Sequence, residues 1–297
     1  MRTWVYLPLV LSALLPYAAR FMAGRVSPSA GARAVAAAAA VAAAGFVCSL
    51  TLLSLTLFDD LPPLWQFDDR PELGLPKPVP GLVALAAGLM LLVSVGRLIA
   101  DVRLRWRVLR ELRAAGTPTA GLVVADWAEP FAVAVPGRPG HVLVTSGMLR
   151  VLSAGEQRVL FAHENAHLRG RHHQWVTATS WAVAVNPLLY PMASLVGHLV
   201  ERWADEDAAA VVGDRRLVAQ AVAKASLAGR RRQVAPAMGM SGSGAVERVM
   251  AMQCPRTASR WQPVAGVAAL CAALLAATAV AAADFVEVAG AWLAMLT

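Results

Sequence analysis

The chain has 297 residues, 58% of them hydrophobic and only 15% charged, with a formal net charge of +8. Ordinary globular proteins run at about 45–50% and about 25%, so this chain has more apolar surface than one compact core can hide. That argues against a wholly soluble protein and leaves lipid to cover part of it. The basic balance is carried by arginine, since Lys77 and Lys224 are the only lysines. In so apolar a chain it reads as cytoplasmic membrane flanks rather than as a nucleic-acid surface, and arginine-over-lysine usage suggests a high-GC bacterial genome. Cys48, Cys254 and Cys271 form no CxxC pair and imply neither a disulfide framework nor a cysteine metal site.

Four apolar segments have the roughly 20 residues needed to cross a bilayer, at about 3–23, 34–58, 80–100 and 263–283. The first is read as a retained helix rather than a cleaved signal, because a loop carrying Arg25 and Arg33 follows it. The loop between spans two and three is acidic, with Asp59, Asp60, Asp68, Asp69 and Glu72. Beyond span three comes a basic run: Arg103, Arg105, Arg107, Arg110 and Arg113. The positive-inside rule then places the acidic loop outside and everything from 103 to 260 in the cytoplasm. Three units follow: residues 1–102 with three spans, a cytoplasmic domain at 103–260, and 261–297 with the fourth span and a short external tail.

The cytoplasmic region opens as a basic helix to about Ala115, stopped by Gly116 and Pro118. Short strands are expected at 121–125, 131–135 and 141–145, separated by Pro130 and the Pro136–Gly140 turn. Ser153 and Glu156 have the spacing of a capping box, and the helix they start should reach Arg169 with Gly170 as its stop. Strands followed by such a helix describe a small α+β unit. The stretch Ser241-Gly242-Ser243-Gly244 reads as a flexible loop.

That helix carries His163-Glu164-Asn165-Ala166-His167. Residues four apart share a helix face, so both imidazoles can reach one ion, and neutral imidazole is a good zinc ligand. Glu164 projects about 100° round from His163, beside the position a water would take. From there it can accept a proton and later return it to a leaving amine. Bound zinc would lower the pKa of that water from about 15.7 towards about 7. Five positions with three fixed also arise by chance, and the histidines could simply pack or face solvent. A catalytic zinc further needs a third protein ligand. Glu201 and Asp205, again four apart, could supply the ligand and a carboxylate that orients a ligand histidine. Alternatively they form a solvated acidic face with Glu206 and Asp207.

One constraint links these parts. Residues 174–200 contain no Asp, Glu, Lys or Arg and are long enough to cross a membrane. A single crossing would put Glu201 on the wrong side from His163 and His167. Asn186-Pro187 and Pro191 interrupt the stretch, so a broken or re-entrant helical pair is expected.

Together these residues resemble the membrane-bound gluzincin metallopeptidases, over about residues 122–212 and the arrangement of spans. Phe161–His167 with Arg171-His172, and Glu201-x-x-Ala204-Asp205, are similar to motifs of the HtpX and CAAX-protease branch. Asn186-Pro187-Leu188-Leu189-Tyr190 and the layout of spans resemble the BlaR/MecR antibiotic-sensing branch. The sensors of that branch continue past the fourth span into an external domain, whereas this sequence stops at Thr297, so β-lactam sensing of that kind is not expected. The resemblance implies a zincin-like fold, one Zn2+ held by His163, His167 and Glu201, Glu164 as catalytic acid/base, and Asp205 behind the ligands. It implies a multi-pass endopeptidase of a bacterial plasma membrane acting on membrane or cytosolic regulatory proteins. Two alternatives stay open, a signalling protein of BlaR/MecR type and a non-catalytic membrane scaffold. No residue is assigned to stabilise an oxyanion, Arg248 being a candidate by loose position only. His172 and His173 are expected to be structural rather than part of the site, His198 is a rival to Glu201, and His141 is expected at the surface. Residues 131–135 could be an edge strand that receives a peptide or an ordinary packed strand. Partners are thus a peptide substrate and the bilayer, without nucleic acid; the oligomeric state is not legible.

Overall fold

The computed structural model describes residues 4–58, 79–229, 244–254 and 262–296. The acidic loop residues 59–72 and Ser241–Ser243, singled out above, lie outside them. The chain begins with α1 (Leu7–Ala23) and α2 (Pro28–Leu55), followed by α3 (Gly81–Ala114). Then come β1 (Leu122–Ala125), β2 (Ala132–Val135) and β3 (His141–Thr145). The helices α4 (Ser146–Val151), α5 (Ala154–Arg169), α6 (His172–Val185), α7 (Tyr190–Val212), α8 (Arg215–Gly229), α9 (Ala245–Gln253) and α10 (Gln262–Leu296) complete it. Three helical segments are long and apolar enough to cross a membrane: Pro28–Leu55, Gly81–Ala114 and Val264–Glu287. At 17 residues, α1 is shorter.

The Ala-rich α2 is the axis of the bundle, with α1, α3, α6, α7 and α10 packed around it. Of its most apolar stretch 61% is buried, against 17% for α3 and 22% for α10, so α2 is the inner helix and the other two show most of their surface outward. Small residues permit this crowding: a Cβ on Gly31 would come within 3.2 Å of Leu199, and one on Gly45 within 3.2 Å of Thr278. One apolar core runs through Leu15, Met22, Val35, Leu189, Met192 and Leu199, joining the bundle to the segment expected to break.

That segment does break. α6 ends at Val185, a short 3-10 turn covers Pro187–Leu189, and α7 returns. Pro187 cannot supply the helical N–H, and the Asn186 side chain accepts the amide of Leu188 at 3.1 Å while donating to Ser12 of α1 at 3.1 Å. With no exposed surface, Asn186 therefore satisfies its polar groups internally, as a deep apolar setting requires. Two further contacts tie the hairpin to α3: Ser94 donates to the Val185 carbonyl at 2.8 Å, and Arg105 bridges Asp101 at 2.7 Å and Ser180.

The three strands form one sheet in the order β1-β3-β2, with β1 parallel and β2 antiparallel to β3. β3 is central and buried along its whole length. His141, expected at the surface, is one of these buried residues, paired with Val135 of β2 in the middle strand of the sheet. Gln157 of α5 donates to the Leu149 and Leu152 carbonyls, fixing α4 against α5. The basic helix expected to begin near 103 is not a separate element: it is the last third of α3. Leu109 and Leu112 at its end pack on Val123, Val135 and Leu143 of the sheet.

Candidate metal centre

α5 starts where the capping box places it. Ser153 accepts the Glu156 amide, Glu156 accepts the Ser153 amide at 2.8 Å, and Lys224 reaches the Glu156 carboxylate at 2.6 Å. Three turns later the helix presents His163 and His167 on one face, and α7 brings Glu201 alongside. The Nε2 atoms of His163 and His167 are 3.1 Å apart, and the Glu201 oxygens lie 3.6 Å from the first and 3.5 Å from the second. A tetrahedral zinc with bonds of about 2.0–2.1 Å has ligand-to-ligand edges of about 3.3–3.4 Å. The two ring nitrogens and the Glu201 carboxylate, one oxygen towards each ring, are therefore spaced close to the edges of such a tetrahedron. They are also a borderline-soft, nitrogen-rich set suited to zinc rather than to calcium or magnesium. Among the described residues this is the one group of three or more potential ligands brought together.

The site's electrostatics agree. Burial alone would depress His163, but Asp205 and Glu201 outweigh it and lift its pKa to about 10. A positive charge is thus favoured between those carboxylates. Burial would likewise raise Glu201, yet Arg248 and the His163 ring hold it well below the usual carboxylate range. His167 is pushed down to about 4, chiefly by burial, and His172 to about 3 by burial and then by the neighbouring His167. Both rings are neutral at ordinary pH, whereas His163, charged between its carboxylates, would give up its proton on binding a metal.

Three side chains hold the ligands from behind. Asp205, fully buried, has Oδ1 3.0 Å from His163 Nδ1. At that distance the carboxylate acts on the ring both as a hydrogen-bond acceptor and through its charge. Arg248 of α9 makes a two-pronged bond to Asp205, with Nε at 2.8 Å and Nη2 at 2.7 Å, and its Nη1 stands 2.9 Å from Glu201. His172 Nδ1 is 3.1 Å from His167 Nδ1. With both rings neutral, an Nδ1–H of His167 donating to His172 leaves His167 Nε2 its lone pair. His172 in turn stands against Trp203, ring centres 4.4 Å apart, and Arg33 of α2 covers that indole at 4.7 Å. His172, expected to be structural, thus stands in direct contact with His167. The chain reverses after α5 through Arg171, at φ 48°, which swings the His172 ring back onto the site. Gly170 is required there for space: a Cβ would collide with that ring. His173 has no contact of this kind. His198, the rival ligand, is turned away towards Glu247, 3.7 Å off.

Glu164 is buried next to the histidines. Burial, and then the Glu201 charge, raise its pKa above the ordinary 4.5 despite His163, a hydrogen bond from the Ala134 amide, and Arg248. That amide belongs to β2. Phe131 accepts from Thr145 N, so by antiparallel alternation residues 133 and 135 bond β3 while Ala132 and Ala134 turn their backbone groups outward, towards α5. The ligands are not sealed: Glu201 keeps 26% of its side chain exposed and His167 17%, while Asp205 keeps none. Arg248, 43 positions from its partner Asp205, gave no local sequence signal of its role.

Two helical histidines and a facing glutamate thus form a cluster that could hold a metal ion, with a buried carboxylate next to it beside an edge strand. The profile of Peptidase family M48 matches residues 100–266, more than half of the chain, which therefore belongs to that family of metallopeptidases. No curated protein and no solved structure matches it.

Proposed function

We propose that the chain is a zinc-dependent endopeptidase of the bacterial plasma membrane, its site facing the cytoplasm, acting on membrane or cytosolic regulatory proteins. The observation that carries this is the convergence of His163, His167 and Glu201, with ligand atoms within 4.8 Å of one another and Glu164 adjoining. His163, His167 and Glu201 hold the metal. Asp205 steadies His163, and His172 steadies His167. Zinc, when bound, supplies the Lewis acidity that lowers the pKa of water and polarises the scissile carbonyl. Glu164 takes the proton of the attacking water on its carboxylate and returns it to the leaving amine; its raised pKa suits a group that must do both. The outward groups of β2 that Glu164 does not occupy, the Ala132 amide and the Ala132 and Ala134 carbonyls, offer an edge along which an extended substrate can lie by strand addition.

The membrane reading adds α1 as a fourth span, at the lower end of the spanning range of about 17–25 residues. It keeps the division 1–102, 103–260 and 261–297. α6 and the first half of α7 dip into the membrane and return, which α6's length of about 21 Å permits without a crossing. Catalysis is tested with purified full-length protein and a casein-like substrate: a zinc chelator should abolish cleavage and added zinc restore it. Cleavage indifferent to chelation would eliminate the zinc peptidase. Reporter fusions after Ala115 and Gly242 should both signal from the cytoplasm; an external signal at either removes the topology.

A further inference from the structure

Along α3 the side facing away from the bundle is one uninterrupted stripe. It starts with Leu82, Leu85, Leu89, Leu92 and Ile99, between 45% and 82% exposed. At 1.5 Å per residue a bilayer's hydrocarbon thickness of about 30 Å is used up in about 20 residues, that is, near Ala100. Just there the stripe changes chemistry and continues on the same helix face as Arg103, Trp106, Arg107 and Arg110, all exposed, Trp106 by 60%. The inward side of the same turns is already satisfied, since Asp101 is held by Arg105. Among the described residues Arg103, Arg107 and Arg110 have no carboxylate partner, although Glu111 stands nearby on the helix. Three unpaired guanidiniums and an indole thus emerge at headgroup depth from a lipid-facing helix that runs on into the sheet.

We propose that this stripe is a docking surface for anionic phospholipid headgroups of the membrane in which the chain sits. Guanidinium pairs with phosphate oxygens in two-pronged fashion, and an interfacial tryptophan fixes the depth of the helix. Because Arg113 of the same helix binds the Pro136 carbonyl, in the turn between β2 and β3, lipid held on the stripe also sets how the edge strand beside Glu164 is presented to the membrane surface. The proposal rests on the membrane-spanning reading above.

The test is the relative association of spin-labelled phosphatidylglycerol and phosphatidylcholine with the full chain in mixed vesicles. The comparison is with the triple variant Arg103→Gln, Arg107→Gln, Arg110→Gln and with Trp106→Ala. A basic residue at the membrane surface contributes about 1 kcal/mol, or about fivefold. The triple variant should therefore lose tenfold or more of the phosphatidylglycerol preference, which in the unmutated chain should fade with salt. Trp106→Ala should keep the preference, and chelator-sensitive cleavage in detergent should be unchanged in all of them. Equal preference in the triple variant and the unmutated chain would overturn the docking surface. A chain that restricts neither lipid and is washed off the vesicles at alkaline pH would overturn the membrane reading with it.

Discussion

Glu201 and Asp205 sit four residues apart on one helix, yet their surroundings differ. Glu201 keeps a quarter of its side chain open and points both oxygens at the two ligand imidazoles. Asp205 is sealed between His163 and Arg248. Removing one partner of a buried pair leaves the other charge uncompensated, which costs about 3–5 kcal/mol. Asp205→Ala should accordingly lower the melting temperature sharply as well as weaken zinc. A variant as stable as the unmutated chain would mean that the Arg248 contact is not a buried pair. His172 gives a cleaner case, because its neutral ring needs no charge partner. Substitution of outer partners of metal ligands typically costs 10–100-fold in affinity, so His172→Ala, titrated against a competing chelator, should bind zinc at least tenfold more weakly. An unchanged zinc affinity would return His172 to packing alone.

The same reasoning applies to whole elements. α5 is anchored by its capping box and by Lys224 on the Glu156 carboxylate. The hydrogen bond from Lys224 is the largest cause holding Glu156 below its ordinary 4.5. A carboxylate depressed in the folded chain stabilises it above the ordinary value, and that contribution disappears as the pH falls from about 4.5 through the lowered one. Thermal stability should therefore drop as the pH falls below about 4.5, and less steeply in Lys224→Met; parallel profiles for the two proteins would refute the linkage. Ser153→Ala should cost about 1 kcal/mol, the usual worth of such a cap. Much of this level was legible in advance: all three strands, the capped helix and the break at Asn186-Pro187 follow from turn residues, cap spacing and proline chemistry, which act locally. What escaped was set by distance. α4 is too short, at six residues, to show a helical period, and His141 is buried by neighbours on strands it does not adjoin in sequence. The helix expected from 103 is continuous with the third span because nothing in residues 96–114 breaks it. Its charges therefore do not mark a helix boundary. The ligand pairs were legible as i,i+4 spacings, whereas Arg248 reaches them only through the tertiary fold.

At the scale of the molecule, an inner alanine-rich helix gathers the apolar helices while α6 and α7 hang from the same core and α7 returns alongside α5. The cation–π contact of Arg33 with Trp203, and the ring-to-ring contact of Trp203 with His172, place the candidate metal centre directly against the end of α2, so bundle and site are one structure. Asn186→Leu, which removes the Leu188 cap and the Ser12 bond from a fully buried position, should destabilise the chain by about 1–3 kcal/mol. If its melting temperature is unaltered, the hairpin is not held by that residue. The central claim joins the metal to the base, and one comparison reaches both: zinc content and casein cleavage of purified Glu164→Gln beside the unmutated protein. The variant should retain one zinc per chain, since none of the three ligands is touched, and lose cleavage by about 10²–10⁴-fold, the usual contribution of a general acid–base group. Cleavage at the unmutated rate, or an unmutated chain that carries no zinc after gentle purification, would contradict the account.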